Sequence, residues 1–213
     1  MKTVIIAAGT GSRLWPRTDQ MPKTLLPFGQ GTILSQIISN FATIGLGPRV
    51  TFVENRDWQR GNGLSVHLVQ RVAGVGSFLL SMSDHLVAPS ALARLMSAQS
   101  DQNLLLVDPQ VDGVFDLPDA TKVMMEGTRI TGIGKELADF NAIDCGVFRL
   151  DERFFEAMGC AIGQGQESIS EGVRHLIEAR AFGGVLLPEG SHWIDIDTPE
   201  AYEYALAHRR WYV

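Results

Sequence analysis

Apolar residues fall into two patterns that alternate along the chain. Short continuous apolar runs predict strands at 3–8, 49–53, 77–82, 103–107, 147–150 and 184–187. Apolar residues spaced three and four apart predict amphipathic helices at 33–44, 64–72, 89–98, 152–158 and 169–179, with a last helix opening at 198–200. Strands that alternate with helices predict an α/β protein, a Rossmann-like three-layer sandwich around a mostly parallel mixed sheet.

Two segments depart from this alternation. Residues 121–126 and 129–134 are joined by Gly127-Thr128 and predict a small β-hairpin insertion. Residues 9–29 form a loop that holds three of the nine prolines. A connection of ~20 residues without regular structure is uncommon in a compact domain, and its usual reason is function. Because no repeat, low-complexity tract or linker divides the sequence, we expect one domain over residues 1–213.

The net charge of the chain limits the kinds of molecule that it is expected to bind. With 18 basic and 24 acidic residues, the net charge of −6 has the wrong sign for a general binder of nucleic acid or anionic membranes. A polyanionic substrate would therefore need local cations or a metal ion. The two cysteines, Cys145 and Cys160, form no CxxC pair, which favours a cytoplasmic protein. No apolar run approaches the ~18 residues of a membrane span, so we expect no such span.

The glycine-rich loop after the first predicted strand is the first candidate for chemistry. Gly9 and Gly11 let backbone N–H groups approach an anion, because no Cβ blocks the approach. Arg13 and Lys23 add the positive charge that a triphosphate would require. The loop lacks the Gly-Lys-Ser/Thr ending of a Walker loop, and Leu14 stands where a Rossmann fingerprint has its third glycine. The alternative is an ordinary turn with two solvated cations.

Carboxylates at two places in the chain form the second candidate. Asp84 follows the predicted strand at 77–82, at the end of the strand where open α/β sheets bind ligands. Asp195 and Asp197 alternate on an extended segment and therefore share one face. Mg²⁺ usually takes one or two carboxylates together with substrate phosphates. The sequence thus predicts Asp84 and Asp197 as metal ligands, with Asp195 as the second choice; the alternative for all three is helix capping.

The loop sequence as a whole is more specific than its glycines. Residues 7–16 read Ala-Ala-Gly-x-Gly-x-Arg-Leu-x-Pro, and residues 22–27 read Pro-Lys-x-Leu-Leu-Pro. This pattern resembles the signature of the sugar-nucleotidyltransferases, which join a nucleoside triphosphate to a sugar phosphate. The resemblance continues through 78–85 and 193–200, and so spans nearly the whole chain. It implies that the loop wraps the nucleotide phosphates, that Arg13 and Lys23 hold the triphosphate, and that Ala8, Gly9 and Gly11 bind the nucleotide.

The middle of the chain narrows the resemblance to inositol-1-phosphate cytidylyltransferases. The segments that carry it are 61–65, 119–123, 133–137 and 141–148. The residues that this resemblance assigns to the cytosine end are Asn62, Gly63 and Ser65. Those that it assigns to the phosphorylated acceptor are Lys122, Lys135 and Asp144. The alternatives are a simple Asn-Gly turn and solvated hairpin lysines.

The resemblance implies Mg²⁺-dependent transfer of a cytidylyl group. CTP and a sugar- or polyol-phosphate, with inositol 1-phosphate as first choice, would give a CDP-linked product and pyrophosphate by in-line attack on the α-phosphate. The expected partners are these two small molecules and no nucleic acid, and a homo-oligomer is left open. The alternatives are another acceptor (a hexose 1-phosphate, phosphocholine or a phosphonate), UTP in place of CTP, or a non-catalytic nucleotide sensor on the same fold.

Overall fold

The computed structural model describes residues 1–7, 9, 11–47 and 49–213. Within these residues the strands are β1 (Lys2–Ile6), β2 (Pro27–Phe28), β3 (Gly31–Thr32), β4 (Phe78–Met82), β5 (His85–Val87), β6 (Asn103–Asp108), β7 (Lys122–Glu126), β8 (Arg129–Gly134), β9 (Ala142–Leu150), β10 (Phe182–Leu186) and β11 (Trp193–Asp195). The α-helices are α1 (Ile33–Thr43), α2 (Asn62–Leu68), α3 (Gln70–Ala73), α4 (Pro89–Ser97), α5 (Glu152–Gly163), α6 (Ile169–Glu178) and α7 (Pro199–Ala207).

A seven-stranded mixed sheet forms the centre, in the order β1-β4-β9-β6-β10-β8-β7. The pairs β1–β4 and β6–β10 are parallel, and β9 lies antiparallel between β4 and β6. The strands β1, β4, β6, β7 and β10 therefore all run in one direction, against β8 and β9. The predicted α/β class with a mostly parallel mixed sheet is confirmed. The hairpin β7–β8 joins this sheet at its edge rather than standing apart from it.

Apolar side chains cover both faces of the sheet. Because successive side chains of a strand point to opposite faces, Leu79 packs with α1, α4 and α7, whereas Phe78 and Leu80 pack with α2, α5 and α6. These two clusters lie between the sheet and the helices on either face, so the chain forms a three-layer sandwich. The last helix begins as its sequence predicts: Thr198 accepts a hydrogen bond from the backbone N–H of Ala201, and Pro199 occupies the first turn.

The strand predicted at 49–53 is wrong. In the part of the chain that the structure describes, these residues pair with no other strand, and Phe52 is 91% exposed. A strand needs a neighbour for its hydrogen bonds and a covered face for its apolar side chains, and this segment has neither. Other differences are in length: β9 begins five residues before the predicted 147 and α5 ends five residues after the predicted 158. The short pairs β2–β3 and β5–β11 are additional to the prediction.

The sheet brings distant loops to one edge. The carboxyl ends of β1, β4 and β6 lie there together with the amino end of β9, because β9 runs in the opposite direction. The loops that follow β1 and β4 hold Arg13, Lys23 and Asp84, three of the residues that the sequence singles out. Among the described residues, no helix combines the length and the apolar composition needed to cross a membrane.

Candidate active site

A cavity of about 270 Å³ opens at this edge of the sheet. Acidic side chains outnumber basic ones in its lining, whose basic members are Lys135 and His85. The aspartates that line the cavity are Asp84, Asp116, Asp119, Asp144, Asp195 and Asp197. They come from four separate segments that lie between residues 84 and 197, so the cavity collects negative charge from most of the length of the chain.

Lys23 lies beside this cavity and joins two of the predicted residues. Its ammonium donates to Asp84 Oδ2 at 2.6 Å and also to Asp197 Oδ1. Burial would lower the pKa of Lys23, but the two carboxylates raise it above its ordinary value. Gly11, at φ +62°, lets the loop pass close to this lysine, since a Cβ on Gly11 would lie 2.8 Å from Lys23 Cβ. The structure therefore brings the predicted lysine and both predicted metal ligands together.

Arg13 contacts three carboxylates from two other loops. Its Nη1 lies 2.7 Å from Asp119 Oδ2 and 3.1 Å from Asp116 Oδ2, and its Nη2 pairs with Asp197. Burial opposes the charged form, but these carboxylates raise the pKa of Arg13 further above its ordinary value. The side chain is 44% exposed, so these ion pairs are in contact with solvent.

His85 lies among partly buried carboxylates, beside Asp84. Its Nδ1 donates to Asp84 Oδ1 at 2.8 Å and lies 3.8 Å from Asp195 Oδ1. Burial would lower the pKa of His85, but Asp195 and Asp84 raise it to about 9. Burial also raises the pKa of Asp195, to about 7. Burial would raise the pKa of Asp84 as well, but His85 and Lys23 hold it below its ordinary range.

Gly146 makes the position of His85 possible. It has φ +75°, and a Cβ there would lie 2.3 Å from His85 Cδ2 and 2.5 Å from Cγ. Only glycine therefore fits at this position of β9, where the strand passes the imidazole ring. The ring of His85 also stacks on Trp193, with centroids 5.8 Å apart. The imidazole is thus held by contacts with Gly146 and with Trp193.

The acidic residues near His85 fit a divalent cation. One ligand atom each from Asp84, His85 and Asp195 lie within 4.8 Å of one another. Asp195 Oδ1 is buried and makes no hydrogen bond to the described residues, an arrangement that costs free energy unless a cation or donor satisfies it. Two carboxylates offer the oxygen ligands that Mg²⁺ prefers. The second-choice ligand Asp195 thus belongs to this group, whereas Asp197 lies on Lys23 and Arg13.

The predicted nucleotide residues divide into those at the cavity and those behind it. Asn62 lines the cavity, and its Oδ1 accepts from the backbone N–H of Ile169 at 2.9 Å. Gly63 is packed tightly against Met158 and the 167 carbonyl, so it serves the close approach of α2. Ser65 accepts a hydrogen bond from Asn55 at 2.8 Å and does not line the cavity. A Cβ on Gly9 would meet no atom within 4 Å, and Ala8 falls outside the described residues.

The predicted acceptor residues are also divided. Lys135 and Asp144 line the cavity; Lys135 donates to Asp119 Oδ1 at 2.6 Å, and Asp144 accepts from the backbone N–H of Gly146 at 2.6 Å. Burial raises the pKa of Asp144 to about 6. Lys122 does not line the cavity. Its ammonium donates to backbone carbonyls, at 2.6 Å to that of Lys135, and so holds the loop before β7 in place.

Sequence reasoning missed four residues of this site. Asp116 and Asp119 bind Arg13 across more than a hundred positions, a contact that no local pattern reveals. Asp119 did lie within a segment that carried the family resemblance, and Gly146 within another. His85 directly follows Asp84 in the chain, but its second carboxylate neighbour, Asp195, comes from a distant segment that no local pattern reveals.

Known proteins share sequence similarity with most of this chain. Residues 2–105 match the family described as nucleotidyl transferase. The bifunctional IPC transferase and DIPP synthase of Aquifex aeolicus is 30% identical over 226 residues, which cover 95% of this chain and 50% of that protein. The chain spans about half the length of the curated relatives it matches.

Solved structures share the fold over nearly their whole length. The inositol-1-phosphate CTP transferase from T. maritima superposes with a TM-score of 0.82 at 22% identity, covering 96% of this chain and 94% of that one. The UTP-bound UGPase from Acinetobacter baumannii gives a TM-score of 0.78 at 14% identity, covering 98% and 92%. The resemblance predicted from the sequence is confirmed: residues 2–105 match the nucleotidyl transferase family, and the relatives and solved structures extend the similarity over nearly the whole chain.

Proposed function

We propose that residues 1–213 form one nucleotidyltransferase domain, which joins CTP to a sugar- or polyol-phosphate and releases pyrophosphate. Inositol 1-phosphate is the first acceptor to consider, because the relative from T. maritima is named for that reaction. The observation that carries the proposal is the buried ammonium of Lys23 between Asp84 and Asp197, with Arg13 on the same carboxylate, at the ligand-binding edge of the sheet.

The proposed reaction is an in-line displacement at the α-phosphorus of CTP. A phosphate oxygen of the acceptor forms a new bond to the α-phosphorus, and the bond from that phosphorus to the bridging oxygen of the β-phosphate breaks. The attacking oxygen is already ionised at neutral pH, so the site needs no general base. The work of the protein is then to position both substrates and to neutralise charge.

The cations of the site divide this work. Lys23 stabilises charge at the α-phosphate, since its ammonium is fixed by two carboxylates and loses little freedom on binding. Arg13, which is more exposed, holds the departing pyrophosphate with its planar guanidinium. Gly9 and Gly11 leave room for backbone N–H groups to approach the phosphates. Mg²⁺, held by Asp84 with Asp195 or Asp197, supplies further neutralisation of phosphate charge when bound.

The base and the acceptor occupy opposite ends of the cavity in this proposal. Asn62 contacts the cytosine, supported by the wall in which Gly63 and Ser65 lie. Lys135 and Asp144 face the acceptor: the lysine binds its phosphate, and the aspartate binds a hydroxyl group. Lys122 supports both residues through the loop that it holds. The expected cytoplasmic location rests on the two cysteines, which are both free.

The decisive experiment measures pyrophosphate release with each of CTP, UTP, ATP and GTP against a panel of phosphorylated acceptors. We expect turnover with CTP and inositol 1-phosphate, a weaker rate with UTP, and little with purine nucleotides. Equal turnover with UTP and a hexose 1-phosphate would contradict the cytidylyl assignment and leave nucleotidyl transfer standing. Nucleotide binding without turnover on any acceptor would support a sensor instead.

Lys135→Ala tests the acceptor end separately. Lys135 lines the cavity, and among the described residues its ammonium is held by the partly exposed Asp119 alone. The substitution should raise the KM for the acceptor about tenfold or more, the scale for one charged hydrogen bond, and change the KM for CTP less. Steady-state kinetics with each substrate varied in turn gives both constants. A larger effect on CTP would place Lys135 with the nucleotide.

A further inference from the structure

The loop between β6 and β7, residues 109–121, reaches across the cavity to the glycine-rich loop. It contributes Asp116 and Asp119 to Arg13 while Phe115 packs on Tyr204 of α7, with ring centroids 4.7 Å apart. Phe115, Asp116 and Asp119 also line the cavity. The segment therefore connects the glycine-rich loop to α7 through side chains near its centre. We refer to residues 109–121 as the β6–β7 loop.

Arg13 is surrounded by negative charge on this side. One guanidinium meets three carboxylates, two of them from the β6–β7 loop. A carboxylate pair on a guanidinium uses the same N–H groups that would bind phosphate oxygens. An incoming triphosphate must therefore displace these carboxylates before Arg13 can hold it.

We propose that the β6–β7 loop is a latch, in which Asp116 and Asp119 hold Arg13 until a nucleoside triphosphate takes their place. The inference rests on the proposed function for one point, that Arg13 binds the nucleotide phosphates. It goes beyond that function in assigning to two aspartates a control over nucleotide affinity. Asp116 and Asp119 act through Arg13, so they are positioning residues and take no part in the displacement itself.

The ion pairs of Arg13 are exposed enough for a phosphate group to replace the carboxylates. The side chains of Arg13, Asp116 and Asp119 are 44%, 39% and 37% exposed, whereas Lys23 is 8% exposed. Ion pairs that are open to water contribute little net stability, so a more highly charged anion can replace them. The buried pairs of Lys23 persist under the same conditions. The latch thus opens at Arg13 while the centre of the site stays in place.

The β6–β7 loop keeps other anchors when Arg13 leaves. Lys122 donates to the carbonyls of Pro118 and Ala120, and Lys135 donates to Asp119 Oδ1 at 2.6 Å. Release of Arg13 therefore frees the part of the loop around Asp116, while the end near β7 remains attached.

Asp116→Asn is the variant that tests the latch with least disturbance of the backbone. Asp116 has φ 50°, a conformation that asparagine also tolerates, so the loop keeps its shape while the charge is lost. Calorimetric titration with Mg-CTP should show binding roughly two- to five-fold tighter than wild type, the scale of one exposed ion pair. Asp112→Asn is the matched control, because Asp112 is exposed in the same loop and forms no ion pair with the described residues.

A double-mutant cycle separates the latch from general electrostatics. The gain from Asp116→Asn should vanish in an Arg13→Ala background, because it acts through that guanidinium. A gain that persists without Arg13, or an equal gain in Asp112→Asn, would overturn the latch. Wild type that binds CTP with the same affinity as Asp116→Asn would also overturn it and leave the proposed function intact. Wild type that binds no nucleoside triphosphate would overturn both.

Hydrogen exchange reports on the loop itself. The amides of Asp119 and Ala120 donate to the carbonyl of Asp116 at 2.9 and 3.1 Å. If CTP releases Asp116 from Arg13, saturation with CTP should accelerate exchange at these two amides in wild type. Unchanged or slower exchange there would contradict the release.

Discussion

Replacing Lys23 by methionine removes the one ammonium that separates two partly buried carboxylates. Asp84 and Asp197 are 20% and 21% exposed, and Lys23 pairs with both. Opposite unit charges ~4 Å apart attract by about 4 kcal/mol at an effective dielectric constant of ~20, so two pairs give about 8 kcal/mol before desolvation. Desolvation of Lys23 offsets part of this, but the two carboxylates stay in place without their cation, so the substitution should cost about 3 kcal/mol, the lower end for breaking a buried pair.

The expected outcome has two parts that can be measured independently. A loss of about 3 kcal/mol should lower the Tm of a chain of this size by roughly 6–12 °C in differential scanning calorimetry. Turnover should fall by ~10²–10³, the scale for removal of one preorganised charge contact at the reacting group. Lys2→Met is the control, because the ammonium of Lys2 contacts only the carbonyl of Val72 among the described residues, far from the cavity.

A second substitution tests the cause of the instability. In Lys23→Met the carboxylates of Asp84 and Asp197 are left facing each other, so adding Asp197→Asn should recover part of the lost Tm. Turnover should not recover, since the ammonium is still missing. The reasoning is refuted if Lys23→Met stays within a few-fold of wild-type turnover, or if the double variant is less stable than Lys23→Met alone.

Three further predictions address other parts of the site. Asp195→Asn and Asp197→Asn should each lower maximal turnover. The variant that needs the higher Mg²⁺ concentration for half-maximal turnover identifies the metal ligand. If neither variant changes the Mg²⁺ dependence, the metal site lies elsewhere. Gly146→Ala should lose most activity because its Cβ meets the His85 ring, whereas Gly127→Ala, also at positive φ but with nothing within 4 Å, should keep it. Burial raises the pKa of Asp144 from 3.8 to about 6, so the folded state holds a proton that the unfolded chain releases, and stability falls as pH rises through that window. Asp144→Asn should therefore exceed wild type in Tm at about pH 8 and approach it near about pH 4; equal Tm at both would contradict this.

The sequence predictions that are confirmed rest on interactions between residues close together in the chain. Thr198 caps α7 because its hydroxyl accepts a hydrogen bond from a backbone N–H of the first turn. That bond does not depend on what the helix packs against. The same kind of reasoning failed at 49–53, since apolar residues make a strand only when a neighbour pairs with them. The pairing of Arg13 with Asp116 depends on where two loops meet, 103 positions apart, and no spacing along the chain encodes it. Asp84 was predictable because it ends a strand whose position in the sheet follows from the α/β pattern.

The antiparallel strand β9 has a consequence for the order in which the molecule is made. It lies between β4 and β6 and supplies the hydrogen bonds that join them, yet it follows both in the chain. On the ribosome, β1, β4 and β6 emerge well before residue 150, so the nascent first half holds a two-stranded ribbon and a lone strand with unpaired edges. Residues 2–105, which match the family, should therefore not fold when synthesised alone, and their exposed edges should make that fragment aggregate.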